Sequence, residues 1–501
     1  MRKIYALKRF AMSLLVLMVS AGTFAKQAEV DGICYDLNSE TKEATVIAKD
    51  DKSYKVVIIP SSVTFGSQTY SVTSIGKEAF SNCSDLTSVT IPNSVTSIGQ
   101  MAFLNCKSLT SITIPNSVTN LGERAFWSCG SLESVTLSNS LTSIADGTFW
   151  VCDGLTSITI PESVTSIGAM AFCSCYNLSS ITIPKSVTSI GVMAFSGCES
   201  LTSIAIPNSV TSVEEAAFSG CHISSISVEA GNSVYDSREN SNAIIETSSN
   251  TLISGCRNTV IPNSVTSIGK RAFNNCDLTS ITIPESVTSI DEEAFYDCSG
   301  LTSITIPESV TNIGELAFSN CTGLTSITIL NSVTSIEERA FYPCYQLTSV
   351  TNLAIIPQDI AAETFSVYGT LHVLPGCKAA YEAAENWKNF TIVEDANAEP
   401  QAIAKAIMEL INSIGKVENT EACKTKIAAA RAAYDALSKE QQALVKNYNK
   451  LVEAEDAYNK LSVSTGIINV NADSALKDAK YLKDGKIVII KNGKQFNING
   501  L

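Results

Sequence analysis

Sixteen cysteines and two histidines give this 501-residue chain its most evident capacity for chemistry. Eleven of the cysteines (Cys83, Cys106, Cys129, Cys152, Cys175, Cys198, Cys221, Cys276, Cys298, Cys321 and Cys344) each stand three places after a phenylalanine. Residues recurring in one local context line up as a column. Such a column could be a disulfide ladder, a stripe of metal-binding thiolates, or a row of small buried thiols with a weak S–H donor. An odd column cannot pair fully, and stacked thiols lack the stagger that bridging needs. Buried free thiols are therefore expected. Cys34, Cys173, Cys256, Cys377 and Cys423 lie off the column, and their oxidation state stays open.

The other candidates for chemistry are thin. His222 follows Cys221, but neighbours in an extended segment face opposite ways. His372 has no nucleophile or ligand set beside it in the sequence. Cys173-Ser174-Cys175 has the wrong spacing for a zinc knuckle, and no phosphate loop, His-Glu-x-x-His or calcium loop occurs. No catalytic residue, metal or cofactor is expected, and the chain does not read as an enzyme.

What must position the cysteines is a repeat. Its cleanest copy, SVTSIGQMAFLNCKSLTSITIPN at 94–116, begins again at Ser117. Eleven units start at Ser71, Ser94, Ser117, Ser140, Ser163, Ser186, Ser209, Ser264, Ser286, Ser309 and Ser332, with the long unit at 209–263. A period near 23 residues marks a solenoid whose turns stack on one another. Ile112-Thr113-Ile114 alternates as a half-buried strand does, and Pro115 ends it for want of an N–H. Val118, Leu121, Ala125 and Phe126 are the other inward groups, with Gly122 expected at a tight bend. One turn buries too little apolar surface to offset its own ordering, so it needs neighbours on both sides.

The pattern LxxIxIPxxVxxIGxxAFxxC resembles the BspA-like (Treponema pallidum-type) leucine-rich repeats of bacterial surface proteins, and the resemblance covers about 27–395. It implies a right-handed, curved parallel β solenoid with strands on its concave side, end caps, and a long variant repeat within the array. It also implies adhesion: binding to host extracellular-matrix or cell-surface proteins or to other bacterial cells, with glycans as a further ligand class. Two alternatives stay open, a structural or scaffolding envelope protein without a host ligand, and a glycan-binding accessory module.

The flanks complete the organisation. Residues 1–25 carry Arg2, Lys3, Lys8 and Arg9, then an apolar run at 10–19 too short to span a bilayer, which reads as a signal peptide cut after Ala25. Residues 26–70 hold three strand-like runs (31–37, 44–48 and 54–59) and read as an N-terminal β cap. The repeats occupy 71–354. The insert at 227–260, with its charged Asp236, Arg238 and Glu239, reads as a solvated loop. Residues 355–395 resemble the family's C-terminal cap, with a short helix containing Tyr381 and Trp387. After a linker at 396–400, residues 401–462 change to helical period and predict three helices (401–413, 420–437 and 439–461) that resemble surface-protein spacers. Residues 463–501 predict a hairpin around Asn492-Gly493, a candidate sorting segment resembling those of Gram-negative anaerobes. The expected location is the surface or exterior of a Gram-negative bacterium, with no transmembrane segment after the leader.

Net charge is −14, near −18 without the leader. Nucleic acid and anionic membrane are poor partners for that balance. A ligand would need an anchor, and the presumed strand face offers only Ser and Thr, from Ser88/Thr90 to Ser349/Thr351. Variation lies just after the repeat Phe, where Leu104, Trp127, Trp150, Tyr296 and Tyr342 are the candidate ligand-binding residues. The competing reading is that the rings of Trp127 and Trp150 merely cover the core.

Overall fold

The repeat closes one turn of a coil per unit. A computed structural model describes residues 25–394, 400–464, 478–483, 486–491 and 494–497. It forms two compact units. The first runs to Leu324 and includes Glu337–Gln346 and Glu363–Ser366; the second comprises Thr325–Ile336, Leu347–Ala362 and the chain from Val367.

In the first unit, Ser111–Thr113 pairs in parallel with Ser134–Thr136, residue for residue. Ser157–Thr159 pairs likewise with Ser180–Thr182. Ser and Thr point outward and the central Ile or Val inward. A second ladder of two-residue strands was not foreseen: Ser97–Ile98 with Asn120–Leu121, and Ser143–Ile144 through Ser166–Ile167 and Ser189–Ile190 to Ser212–Val213.

Opposite the strands lies a face made of consecutive turns. The N–H of Ala102 donates to Gly99 O (3.3 Å) and that of Cys106 to Phe103 O (3.3 Å). Alternate N–H groups reach the next coil, Met101 to Glu123 O, Phe103 to Ala125 O and Asn105 to Trp127 O. Local turns and inter-coil bonds thus alternate, and this buried backbone is satisfied without regular secondary structure. Left-handed residues recur twice per coil, as at Met101 (φ 56°) and Asn105 (φ 59°). Gly122 serves close approach rather than a bend: a Cβ there would lie 2.4 Å from the backbone N of Gln100 in the coil before.

The core is a stack of repeated side chains. Phe80, Phe103, Phe126, Phe149, Phe172, Phe195 and Phe218 are buried, with adjacent centroids 5.2–5.6 Å apart. The stack resumes from Phe273 to Phe365. In six of the units the opening Ser ties adjacent coils together through the carbonyl 22 residues before it, while the Ser286 and Ser332 hydroxyls do not. Ser94 Oγ donates to Val72 O, Ser117 Oγ to Val95 O and Ser163 Oγ to Leu141 O, each at 2.6 Å. Where Ser138 stands in the place of the repeat Pro, it makes this bond instead, to Val118 O.

The insert is an ordered part of the array, not the solvated loop expected. Tyr235–Asp236, Ile244–Glu246 and Thr251–Ser254 form an antiparallel set, and the last pairs in parallel with Ser267–Ile268, carrying on the short-strand ladder. Asn232 replaces the repeat Ser as the tie between coils. Its amide donates to Pro207 O (3.0 Å) and Val210 O (2.8 Å), and its Oδ1 accepts from the N–H groups of Val234 and Tyr235. Gly255 leaves room for Phe273, whose ring carbon lies 2.0 Å from where a Cβ would sit.

The N-terminal cap has more strands than expected: β1 (Ala25–Val30), β2 (Ile33–Asn38), β3 (Glu43–Ile47), β4 (Val56–Ile58), β5 (Ser62–Phe65) and β6 (Gln68–Ile75). β1, β2 and β3 are antiparallel neighbours, and β6 joins β3 in parallel. Ala25 already pairs with Asn38 within β1; residues 1–24, the expected leader, lie outside the described residues.

In the second unit, Ser326–Ile329, Ser349–Asn352, Thr370–Val373 and Thr391–Glu394 pair in parallel. The cap helix α1 (Lys378–Ala383) holds Tyr381, whose hydroxyl donates to Ala354 O at 2.7 Å. Trp387 was expected in the same helix but occupies a separate 3-10 turn, Trp387–Asn389, with Nε1 donating to Gln358 O at 2.8 Å.

The helical segment contains α2 (Pro400–Ser413), α3 (Glu421–Asp435), α4 (Lys439–Gln442) and α5 (Tyr448–Ser464), so the expected third helix is split. The expected capping box at Ser438 and Gln441 is present. The helix stops because Leu444 and Val445 turn with i−3 bonds and bury Val445, while the Asn447 amide reaches Met408 O at 2.7 Å. Arg431 joins α3 to α5 through Glu455 (2.7 and 2.6 Å) and the Tyr448 hydroxyl. At the C-terminus three antiparallel strands, Asp478–Lys483, Lys486–Lys491 and Lys494–Asn497, replace the two-strand hairpin expected. The turn at 492–493 lies outside the described residues.

Candidate binding surface

The cysteine column is inert packing with a defined bond. All sixteen cysteines are free, and all eleven column members are buried. The thiol of Cys106 donates to Phe80 O (3.2 Å), Cys129 to Phe103 O (3.1 Å), Cys152 to Phe126 O (3.2 Å), and the pattern runs to Cys344 on Phe318 O (3.1 Å). Burial pushes the Cys83 thiol up to about 11, and those of Cys175 and Cys344 up to about 12, far from the thiolate a nucleophile needs.

The remaining candidates for chemistry disperse. Cys221 donates its thiol to Phe195 O (3.1 Å), while the half-exposed His222 faces Asp277 at 3.3 Å. The two side chains therefore do not cooperate. Arg238 of the insert grips Asp236 (2.8 and 3.0 Å) and Asn250 (2.9 Å), which makes this cluster a brace for the inserted strands. Among the described residues no group of three or more His, Cys, Asp or Glu side chains could hold a metal.

The strand face is the Ser/Thr lattice expected, with one departure. β4 runs parallel to Ser88–Thr90, and Val56 and Ile58 stand where Ser and Thr would be, 61% and 68% exposed. The signal was present in the unbroken apolar run VVII at 56–59, which cannot bury both faces.

On the turn face the five candidate residues fall into two places. Leu104, Trp127 and Trp150 occupy one column in successive coils, all half-buried. The indoles of Trp127 and Trp150 stack with centroids 4.7 Å apart and planes 5° from parallel. The Arg124 guanidinium lies 5.7 Å from the Trp127 centroid, and its stem fills the space left by Gly147, where a Cβ would meet Arg124 Cγ at 3.0 Å. The result is a flat apolar block with a cation at its edge. Tyr296 and Tyr342 sit farther along the column and border an open groove of about 500 Å³ with Met193, Arg271, Glu293 and Ser319 among its walls. Sequence reasoning missed that groove, because it is made by small residues between large ones.

Coil geometry, the Phe and Cys columns and the Ser-to-carbonyl bonds all belong to one repeat grammar. A family model for the BspA type leucine rich repeat region matches six copies, over residues 60–179, 165–255 and 245–368. The chain belongs to the BspA-type leucine-rich-repeat family. A leucine rich cell surface protein from Faecalibacterium prausnitzii is 32% identical, with a TM-score of 0.59 over 76% of this chain and 97% of the other. A leucine-rich repeat protein from Bacteroides ovatus is 25% identical (TM-score 0.41; 73% and 100% covered). The pneumococcal vaccine antigen PcpA is 17% identical (TM-score 0.46; 75% and 100% covered). A comparison with curated proteins gave no match. Among the described residues no helix of this BspA-type protein is long and apolar enough to cross a membrane.

Proposed function

We propose that this BspA-type protein is exported, displayed at the surface of a Gram-negative bacterium, and adheres there to host matrix or cell-surface proteins or to other cells without catalysing a reaction. The observation that carries the proposal is the Trp127–Trp150 stack, two half-buried indoles held parallel on successive coils. Large, pre-ordered aromatic side chains beside a cation are the residue types that dominate protein-binding energy, because little entropy is lost when they are covered. Leu104 extends the block by one coil. The helical segment serves as a spacer, and the three C-terminal strands as a candidate sorting element.

Two measurements test this. Protease shaving of intact cells should release peptides from 71–354, and the purified chain should bind members of a panel of extracellular-matrix proteins and whole cells. Recovery of the chain from the cytoplasm alone, or an empty binding panel, contradicts the proposal.

A further inference from the structure

The turn-face column that stacks Trp127 on Trp150 has a gap elsewhere. Tyr296, Ser319 and Tyr342 occupy the same position in three successive coils. Where two adjacent coils both carry rings, they stack at 4.7 Å. Here the middle ring is missing, and the two tyrosines are about two coil spacings apart, roughly 10 Å. That leaves about 5 Å from each tyrosine to a third ring placed between them, within the range of offset stacking. Ser319 forms the floor, 2% exposed, with its hydroxyl donating to Tyr342 O. Tyr342 is 41% exposed, so the slot is reachable from solvent.

The walls carry planar hydrogen-bonding groups, and each arginine among them meets two carboxylates, Arg271 those of Glu293 and Glu215 and Arg339 those of Glu363 and Glu338. Arg271 holds Glu293 with two bonds (2.7 and 2.9 Å), and Asn274 Nδ2 donates to the same carboxylate at 3.3 Å. Arg339 is held by Glu363 at 2.6 Å. With both guanidinium groups held by carboxylates, the groove offers no unpaired arginine to an anionic ligand, yet the amide, the carboxylate and the guanidinium edges remain suited to hydroxyl groups. Its volume of about 500 Å³ is that of a small-molecule site.

We propose that this groove binds a neutral pyranose, seated between Tyr296 and Tyr342 with its hydroxyls on Asn274, Glu293 and the arginines. A ring with apolar faces and a polar rim matches both features of the groove, a tyrosine from each of two coils and planar polar groups around them. The site uses none of the residues of the Trp127–Trp150 block, so it stands or falls independently of the adhesion reading.

The test starts with the full chain on a printed array of neutral, sialylated and sulfated oligosaccharides, followed by calorimetry with the strongest neutral binder. Neutral glycans should bind, and sialylated or sulfated ones should gain nothing from their charge. Ser319→Tyr fills the slot with the missing ring and should abolish binding; the melting temperature should hold, because the column already accepts adjacent rings at Trp127 and Trp150. Tyr342→Ala should weaken binding by about tenfold, and Trp127→Ser/Trp150→Ser should leave it unchanged. An array signal confined to charged glycans, no neutral glycan bound at millimolar concentration, or full affinity in a folded Ser319→Tyr variant overturns the proposal.

Discussion

The thiol of Cys129 donates to the carbonyl oxygen of Phe103 at 3.1 Å, from one coil to the coil before. The same oxygen also accepts the N–H of Cys106 at 3.3 Å, so the Phe103 carbonyl ties its own turn and the next together. Cys129→Ala removes the second bond and leaves a small void, and should cost about 1–2 kcal/mol. Cys173→Ala, half-buried and off the column, should cost less than about 0.5 kcal/mol. Urea unfolding of both variants checks this; equal effects would show that the column bond contributes nothing.

Alkali should unfold the protein through the same column. The thiols of Cys83, Cys175 and Cys344 rise in the fold from 9.0 to about 11, 12 and 12 because burial disfavours the thiolate. Above pH 9 the unfolded chain releases protons that the native state keeps, so stability is full below that pH and falls as pH climbs towards 11–12. Each thiol contributes at most about 1.4 kcal/mol per pH unit, and the contributions share one sign. Urea midpoints from pH 8 to 11 should decline from pH 9 upward, with native thiols unreactive at pH 8 and reactive after unfolding. A flat midpoint through that range would mean that the buried thiols do not set the alkaline limit.

Val151 is the one β-branched residue in the second left-handed column, at φ 57°. Its counterparts include Asn82, Asn105, Asn275 and Asn320, and Asn105 Nδ2 donates to Asn82 Oδ1 at 3.0 Å. A β-branched side chain is poorly suited to that backbone, whereas Asn tolerates it. Val151→Asn should therefore raise stability by about 1 kcal/mol, read as a higher melting temperature. A lower one would mean that the Val side chain contributes more through packing than it costs in strain.

The coil was legible because its signals are local. Ile112 between Ser111 and Thr113 announces a half-buried strand, and Pro115 announces its end. The binding faces were legible only as columns of residue types. That Trp127 and Trp150 share a column follows from the 23-residue spacing; that their rings lie parallel does not. The insert was misread because Asn232 takes the place of the repeat Ser, one period after Ser209, with a different residue type, and the strands that follow it do not carry the repeat's pattern. The groove between Tyr296 and Tyr342 was hidden for a related reason, since its defining residue, Ser319, is unremarkable until its neighbours are placed around it.

Adhesion through the indole block is tested most sharply by the double variant Trp127→Ser/Trp150→Ser, with Ser chosen because it already occurs in this column at Ser81, Ser196, Ser219 and Ser319. Affinity for the protein or cell ligand found with the wild-type chain should be measured beside the melting temperature. Affinity should fall by about tenfold or more while the melting temperature hardly moves. A large drop in melting temperature with a merely proportionate loss of binding would show that the two indoles are a cover for the core, and would contradict a binding role for them.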